Sequence, residues 1–302
     1  MKKTDKIGIV LVNYNGASYQ NDCIRSILNQ TITNFEIIVV DSNSSDNSTE
    51  LLEEFNEECR IHVIRNEENV GYAKGNNIGV DVATHMGCNY ILLLNNDTEL
   101  SCNMIEELAK YADETIVTVP KMYYFDNPNL LWCCGGVIDW RKGNSYHFGI
   151  KEKDIGQYNE IRNVTFCPTT AMLIHKDIFY RIGKEDEKYF MYFDDTDLCV
   201  RIIDLSYEIK YVPEAKLWHK VSSSSGGEAS PLSVYYIARN QLYFLDKYKN
   251  KIGVLTRFKV FLKGLCKFLL CPIRRRSDRY IIKGWMDYKR GIMGRVDYSF
   301  RK

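Results

Sequence analysis

The first 120 residues repeat one rhythm, and few folds are compatible with it. Short apolar runs stand at residues 7–12, 35–40, 61–64 and 90–94. The first, second and fourth are continuous rather than alternating, the pattern of strands buried on both faces of a parallel sheet. Helical spacing recurs between them: Cys23, Ile24, Ile27 and Leu28 share one face, and Leu51, Leu52 and Phe55 another. Alternating strands and helices predict an α/β sandwich with a mainly parallel central sheet and helices on both sides. Such sheets bind ligands at the carboxyl ends of their strands. Polar clusters follow those ends: Asn13-Tyr14-Asn15-Gly16, then residues 41–46, 66–72 and 95–98. Each is by itself an ordinary turn. Four along one rim predict a polar ligand site.

A second feature lies far downstream. After the aromatic run Tyr189-Phe190-Met191-Tyr192-Phe193 come Asp194, Asp195 and Asp197, three carboxylates within four residues. Apolar surroundings and like charges both raise a carboxylate's pKa, which is how proteins tune general bases. The structural alternative is a helix N-terminus, with Asp195 or Asp197 capping the apolar stretch from Leu198.

Length and composition narrow the setting. A chain of 302 residues suits one large domain with an appendage, or two small domains. The net charge of +1 gives no general attraction to nucleic acid. Ten scattered cysteines without a C-x-x-C predict neither a zinc ribbon nor a disulfide framework, and fit a reducing cytoplasm. Basic residues interrupt every apolar stretch, so no transmembrane span is expected. Residues 121–186 are less regular; Trp132, Gly135, Gly136 and Trp140 either line a second pocket or form irregular core. A strand over 209–212 is expected to end at Pro213, a mobile low-complexity run follows at 222–227, and a helix begins near Leu232. Further on, Phe258, Phe261, Leu262, Leu265 and Leu269 form an apolar stripe beside Lys259, Lys263 and Lys267, before Arg274, Arg275 and Arg276. Such a helix either lies on an anionic membrane or docks on the domain with its lysines in water.

The ordered motifs carry a resemblance. Asn13-Tyr14-Asn15-Gly16, Asp41-Ser42-Asn43-Ser44-Ser45-Asp46, Asn69-Val70-Gly71-Tyr72-Ala73-Lys74-Gly75-Asn76-Asn77, Asn95-Asn96-Asp97, Asp194-Asp195 and Trp218-His219 together resemble the family-2 glycosyltransferases, notably bacterial rhamnosyltransferases and other cell-surface polysaccharide enzymes. The similarity runs over roughly residues 7–245. It implies a GT-A fold: a glycosyltransferase domain over 1–230, with a nucleotide-binding half (1–120) and an acceptor half (121–230), then a basic helical extension over 231–302.

The resemblance also implies roles. A nucleotide-diphosphate sugar, dTDP-rhamnose or a UDP-sugar, would be the donor, held by Asn13, Asn15, Asp41, Asn69, Gly71, Lys74, Asn77, Asn96, Asp97 and Arg239. Asp41 would accept the base's ring N–H, although it can also cap a helix, as can Asp46. Asn95 stands where the family has the first acid of D-x-D, which leaves Asp97, with His219, to hold Mn²⁺ or Mg²⁺ against the diphosphate. His219 could equally be a packed core residue, and Arg239 could pair with an acid inside the fold. Asp195 would be the general base, Asp194 its tuner, and Asp197 a cap. Residues 222–227 could close over the diphosphate. The acceptor would be a saccharide or lipid-linked saccharide, and the place of action the inner face of the cytoplasmic membrane.

Rival readings fare worse. A dinucleotide dehydrogenase needs G-x-G-x-x-G after the first strand, where only Gly16 stands. A nucleotidyltransferase needs a charged glycine-rich phosphate loop, and residues 12–16 offer no charge. A non-catalytic nucleotide-sugar binder of the same fold stays open through Asn95.

Overall fold

The computed structural model describes residues 1, 5–221, 230–273, 276–298 and 300. Its centre is a mixed sheet. In chain order the strands are β1 (Ile7–Asn13), β2 (Phe35–Asp41), β3 (Ile61–Arg65), β4 (Tyr90–Asn95), β5 (Thr98–Leu100), β6 (Ile116–Tyr124), β7 (Leu131–Cys133), β8 (Gly136–Asp139), β9 (Asn144–His147), β10 (Arg162–Val164), β11 (Ala171–His175) and β12 (Glu208–His219). Across the sheet the order is β10, β12, β6, β11, β4, β1, β2, β3, with β5 beside β12 and β7 beside β6. The pairs β1–β2, β1–β4, β2–β3 and β6–β12 are parallel, whereas β11 runs antiparallel between β4 and β6. Hairpin β8–β9 stands apart.

The continuous apolar runs are buried as expected: all seven residues of β1, and all of β2 except Glu36, are inaccessible. Register then fixes the rim. Asn13 lies opposite Asp41, Val12 opposite Asn95, and Asp41 opposite Arg65, so the polar loops following β1 to β4 emerge side by side. Helices α1 (Gln20–Leu28) and α2 (Gly71–His85) pack on this half, and residues 51–55 form a single 3₁₀ turn. A Cβ at Gly75 would stand 2.8 Å from both Val12 methyls, so glycine there lets α2 lie directly on β1. The remaining helices are α3 (Met104–Ala109), α4 (Lys176–Arg181), α5 (Asp194–Asp204), α6 (Pro231–Lys247), α7 (Val254–Leu269) and α8 (Tyr280–Lys289).

Pro213 does not end its strand. Register between β12 and β6 slips between Val212 and Lys216, and this bulge accommodates the missing N–H. The strand resumes to set His219 opposite Thr98 on the rim.

Two C-terminal helices are integral to the fold. Ser230 caps α6 by accepting from the Ser233 N–H, and Pro231 takes the first helical position. Phe244 and Leu245 of α6 belong to the same core as the sheet, and Tyr235 donates to Asp287 of α8 at 2.9 Å. α7 differs, since none of its 16 residues is buried. All ten cysteines are free. Among the described residues no helix is long and apolar enough to cross a membrane. Residues 222–227 and the pair Arg274 and Arg275 lie outside the described residues.

Candidate active site

The loops on the rim form a braced platform. Asn13 Nδ2 donates to Asp41 Oδ1 at 2.8 Å, to Ser48 Oγ at 2.9 Å and to Ser44 Oγ at 3.1 Å. Its Oδ1 accepts from Asn96 Nδ2 at 2.7 Å. Asp41 also accepts from the N–H and hydroxyl of Ser44. Asn15 Oδ1 accepts from the Ser45 N–H at 2.8 Å. Asp46 accepts from Ala17 N and from the N–H and hydroxyl of Ser48; burial opposes its charge, yet these bonds hold its carboxyl below the usual range. On this platform opens a small, mostly apolar cavity of about 90 Å³, lined among others by Tyr14, Ser42, Asn69, Gly71, Tyr72 and Asn96. Ser42 Oγ is buried with no hydrogen-bond partner among the described residues.

Tyr72 and Met191 are also walls of a second cavity, of about 280 Å³, that holds the titratable groups. Asp97 and His219 line it, with Nε2 of the imidazole 3.1 Å from Oδ1 of the carboxylate. His219 is 6% exposed, and its Nδ1 has no hydrogen-bond partner among the described residues. Trp132 packs edge-on against both His219 and His147, at 4.4 and 5.1 Å. Burial pulls His147 down to about 4, so its ring is neutral at ordinary pH. Asp194 and Asp195, which open α5, line the same cavity. Asp195 is half-buried, and its Oδ1 accepts from the N–H and hydroxyl of Thr196. Burial pushes Asp195 up to about 6, against those bonds; burial and the charge of Asp195 push Asp194 up to about 7. Two acids this close titrate as a pair.

The backbone leading to that pair is strained. Phe190, Tyr192 and Phe193 all have positive φ, at 66°, 64° and 70°. A left-handed bulky residue costs roughly 1–3 kcal/mol, so the surroundings must hold the loop in place. They do so from α6. Asn240 Nδ2 donates to the carbonyls of Tyr189, Met191 and Tyr192, at 2.8, 2.8 and 3.0 Å. Arg239, wholly buried over the rings of Tyr235 and Tyr236, donates to the carbonyls of Tyr189 and Gly294. From the other side the Tyr72 N–H donates to Phe190 O, while Gly71, at φ 76°, leaves no room for a Cβ beside that ring.

Comparison with known proteins fits this geometry. The sequence profile described as Glycosyl transferase family 2 matches residues 8–183. The chain belongs to that family. It is 34% identical over 231 residues to the glycosyltransferase GlyG of Streptococcus pneumoniae serotype 4, covering 74% of this chain and 73% of that protein. It is 25% identical over 312 residues to the dTDP-rhamnosyl transferase RfbF of Shigella flexneri, covering 96% and 97%. Among solved structures, GalNAc-T7 with UDP, GalNAc and Mn²⁺ superposes with a TM-score of 0.63 at 18% identity, over 80% of this chain and 47% of the other. That likeness is one of fold, and the fold is GT-A.

Of the residues assigned from sequence, this family-2 chain brings Asp97, His219, Asp194 and Asp195 to one cavity, and Asn69, Gly71 and Asn96 to its neighbour. Asn13, Asn15 and Asp41 stand one layer back as loop braces. Lys74 is exposed on the first turn of α2. Three assignments are corrected. Asn77 does not face the platform, because its amide binds the backbone of Glu185 and the carboxylate of Glu187. Arg239 gives Nε to the Asn240 amide oxygen and its other nitrogens to the carbonyls of Gly294, Lys188 and Tyr189, so its donors are taken within the fold. Lys220, next to His219, pairs with Asp22 and Glu99. Nor does Asp197 cap α5; it is fully buried, accepting from Arg201 and Tyr248 with the Lys247 ammonium 2.6 Å away. Trp132 does line a pocket, whereas Trp140 stacks in the core on Phe244. His147, Thr169, Thr170 and Met191 line the cavity without having been singled out. Only Met191 lay within a motif that pointed there.

Proposed function

We propose that this family-2 glycosyltransferase moves a sugar, with inversion, from a nucleotide-diphosphate sugar to a hydroxyl of a saccharide or lipid-linked saccharide in bacterial cell-surface polysaccharide synthesis. One observation carries the reading: Asp97 with His219, and Asp194 with Asp195, line a single cavity that adjoins the braced platform. The nucleobase would lie in the smaller cavity over Ser42 and Tyr14, near Asp41, with the diphosphate towards Asp97. The sequence kinship with a dTDP-rhamnosyl transferase makes dTDP-rhamnose the first donor to test, and UDP-sugars the next.

The chemistry follows from the two pairs. An acceptor hydroxyl beside Asp195 gives its proton to that carboxylate as its oxygen bonds to the anomeric carbon. The carbon–oxygen bond to the diphosphate breaks, and nucleoside diphosphate departs. Asp194 keeps the pair's proton affinity high, and neutral His147 adds no charge to the cavity. Asp97 and His219 suit a divalent ion as two protein donors, because the imidazole's second nitrogen is buried without a partner among the described residues. Those residues contain no cluster of three or more His, Cys, Asp or Glu, so the diphosphate and water would complete the shell. The ion, Mn²⁺ before Mg²⁺ given the imidazole, would neutralise the leaving group.

Chelator should therefore abolish turnover of a stabilising donor, with Mn²⁺ restoring it, and Asp97→Ala should weaken donor binding and turnover together. Full activity in excess chelator would remove the metal from the account. Asn95 favours a second reading, a non-catalytic nucleotide-sugar binder, because it replaces an acid and its amide turns to Thr170 Oγ1 at 3.4 Å. A donor that binds but is never consumed, with any acceptor or water, would favour that reading. The exposed apolar residues of α7, Phe258, Leu262 and Leu269 among them, support contact with an anionic membrane surface. Flotation with anionic vesicles tests this; no binding at low salt would refute it.

A further inference from the structure

A groove of about 330 Å³ between α7 and the β8–β9 hairpin has no part in the chemistry above. Arg141, Lys142, Lys259, Lys263 and Lys267 line it, against one lining carboxylate, Asp278. The chain as a whole carries only +1, so positive charge is concentrated here. Among the described residues neither Arg141, Lys259 nor Lys263 has a carboxylate in ion-pair distance. Lys259 and Lys263 stay open to solvent along the groove, while Phe258, Leu262 and Leu269 of the apolar stripe are exposed and Phe261 stacks on Trp285.

Strand β9 is the wall shared with the active site. Its period of two puts Asn144 and Tyr146 in the groove, whereas Ser145 bonds Thr196 of α5 at 3.0 Å and His147 lines the reaction cavity. Phe193, which also lines the groove, directly precedes Asp194. Beyond α7 lies a largely apolar cavity of about 570 Å³, with Leu242, Leu245, Phe261 and Trp285 in its walls. A phosphate would relieve the repulsion among the cations, and ammonium groups serve it well as point charges. An alkyl chain on that phosphate would meet apolar surface on the far side of α7.

We infer that the groove binds the phosphate of an amphiphilic acceptor, with Arg141, Lys259 and Lys263 as its anion contacts. Naming the ligand an acceptor rests on the glycosyltransferase reading; the anion site does not. The donor's diphosphate is served by Asp97 and His219, across β9.

The test is calorimetric titration of full-length protein with monomeric decyl phosphate, with decanol as the neutral counterpart and with saturating UDP, dTDP or GDP present. Binding should be salt-sensitive, stronger than for decanol, and unaffected by the nucleotides. Lys259→Glu with Lys263→Glu should weaken it by roughly tenfold or more, since a lysine near an anionic group contributes about a kcal/mol. Lys259→Gln with Lys263→Gln repeats the test without reversing charge; both sites lie on a helix that buries nothing. Competition by a nucleoside diphosphate, equal binding of decanol, or unchanged affinity in both variants would overturn the site. So would charge-dependent capture by anionic vesicles without monomer binding, which would assign the lysines to membrane headgroups. The readout needs no turnover, so its failure is distinguishable from failure of the donor assay.

Discussion

A base must be ionised when the acceptor arrives, and the surroundings of Asp195 work against ionisation. Burial raises it and Asp194 together, to about 6 and about 7. The rate of transfer should therefore rise with pH across that range, its acid limb belonging to the pair rather than to one residue. Asp195→Asn, which preserves shape, should keep donor affinity and lower turnover by roughly two to four orders of magnitude; near-normal turnover would remove Asp195 from the role. The same shifts act on stability. A carboxyl whose folded pKa lies above its unfolded value favours folding below the unfolded pKa, and that contribution is lost as pH rises through the folded pKa. Asp194→Asn should thus melt higher than the parent at pH 8, by a few degrees for roughly 1–2 kcal/mol, and with little difference at pH 4. The reverse order at pH 8 would show that the pair is not strained by charge. These acids were legible in the sequence because an aromatic run preceded them. His147 was not, since a lone histidine in a short irregular strand carries no periodic signal.

At the scale of elements, the loop over 189–193 matters most. Three left-handed bulky residues in four positions are held largely by the Asn240 amide, with help from Arg239 and the Tyr72 N–H. Asn240→Ala should lower turnover far more than donor affinity and cost about 2–3 kcal/mol of stability, as the carbonyls of Met191 and Tyr192 lose their side-chain donor. Unchanged turnover in a stable Asn240→Ala protein would show that the strain needs no such clamp. The sequence places Arg239 on a helix past the motifs, and by resemblance it reads as a contact for the nucleotide-diphosphate sugar. What it cannot display is that α6 approaches the catalytic loop from behind, a matter of packing over some fifty residues of chain separation. The strand through Pro213 is a similar case: proline usually ends a strand, but an edge-shifting bulge admits it. Deleting residues 251–302 should destabilise rather than merely detach. The carbonyl of Gly294 and the carboxylate of Asp287 accept from Arg239 and Tyr235 of α6, and the truncated chain would leave both donors unmet. A truncated protein with the parent's melting temperature and turnover would contradict this.

Across the whole molecule, the division of labour follows the sheet. The parallel half, β1 to β4, announces itself through continuous apolar runs and polar loops, and it carries the braced platform of Asn13, Asp41 and Asn96. The other half reverses strand direction at β11 and depends on side chains from β7, β9, α5 and β12, whose convergence no local pattern reveals. The cavity with the four titratable groups is lined from both halves, and α6 braces the 189–193 loop beside it. The central claim, that one displacement across this cavity moves the sugar, is tested most directly by the product's stereochemistry. With the donor that most raises the melting temperature, the anomeric proton coupling of the first-formed product should report a configuration opposite to the donor's. Retention would require an enzyme–sugar adduct or a front-side route, and would contradict Asp195 acting as base in a single displacement.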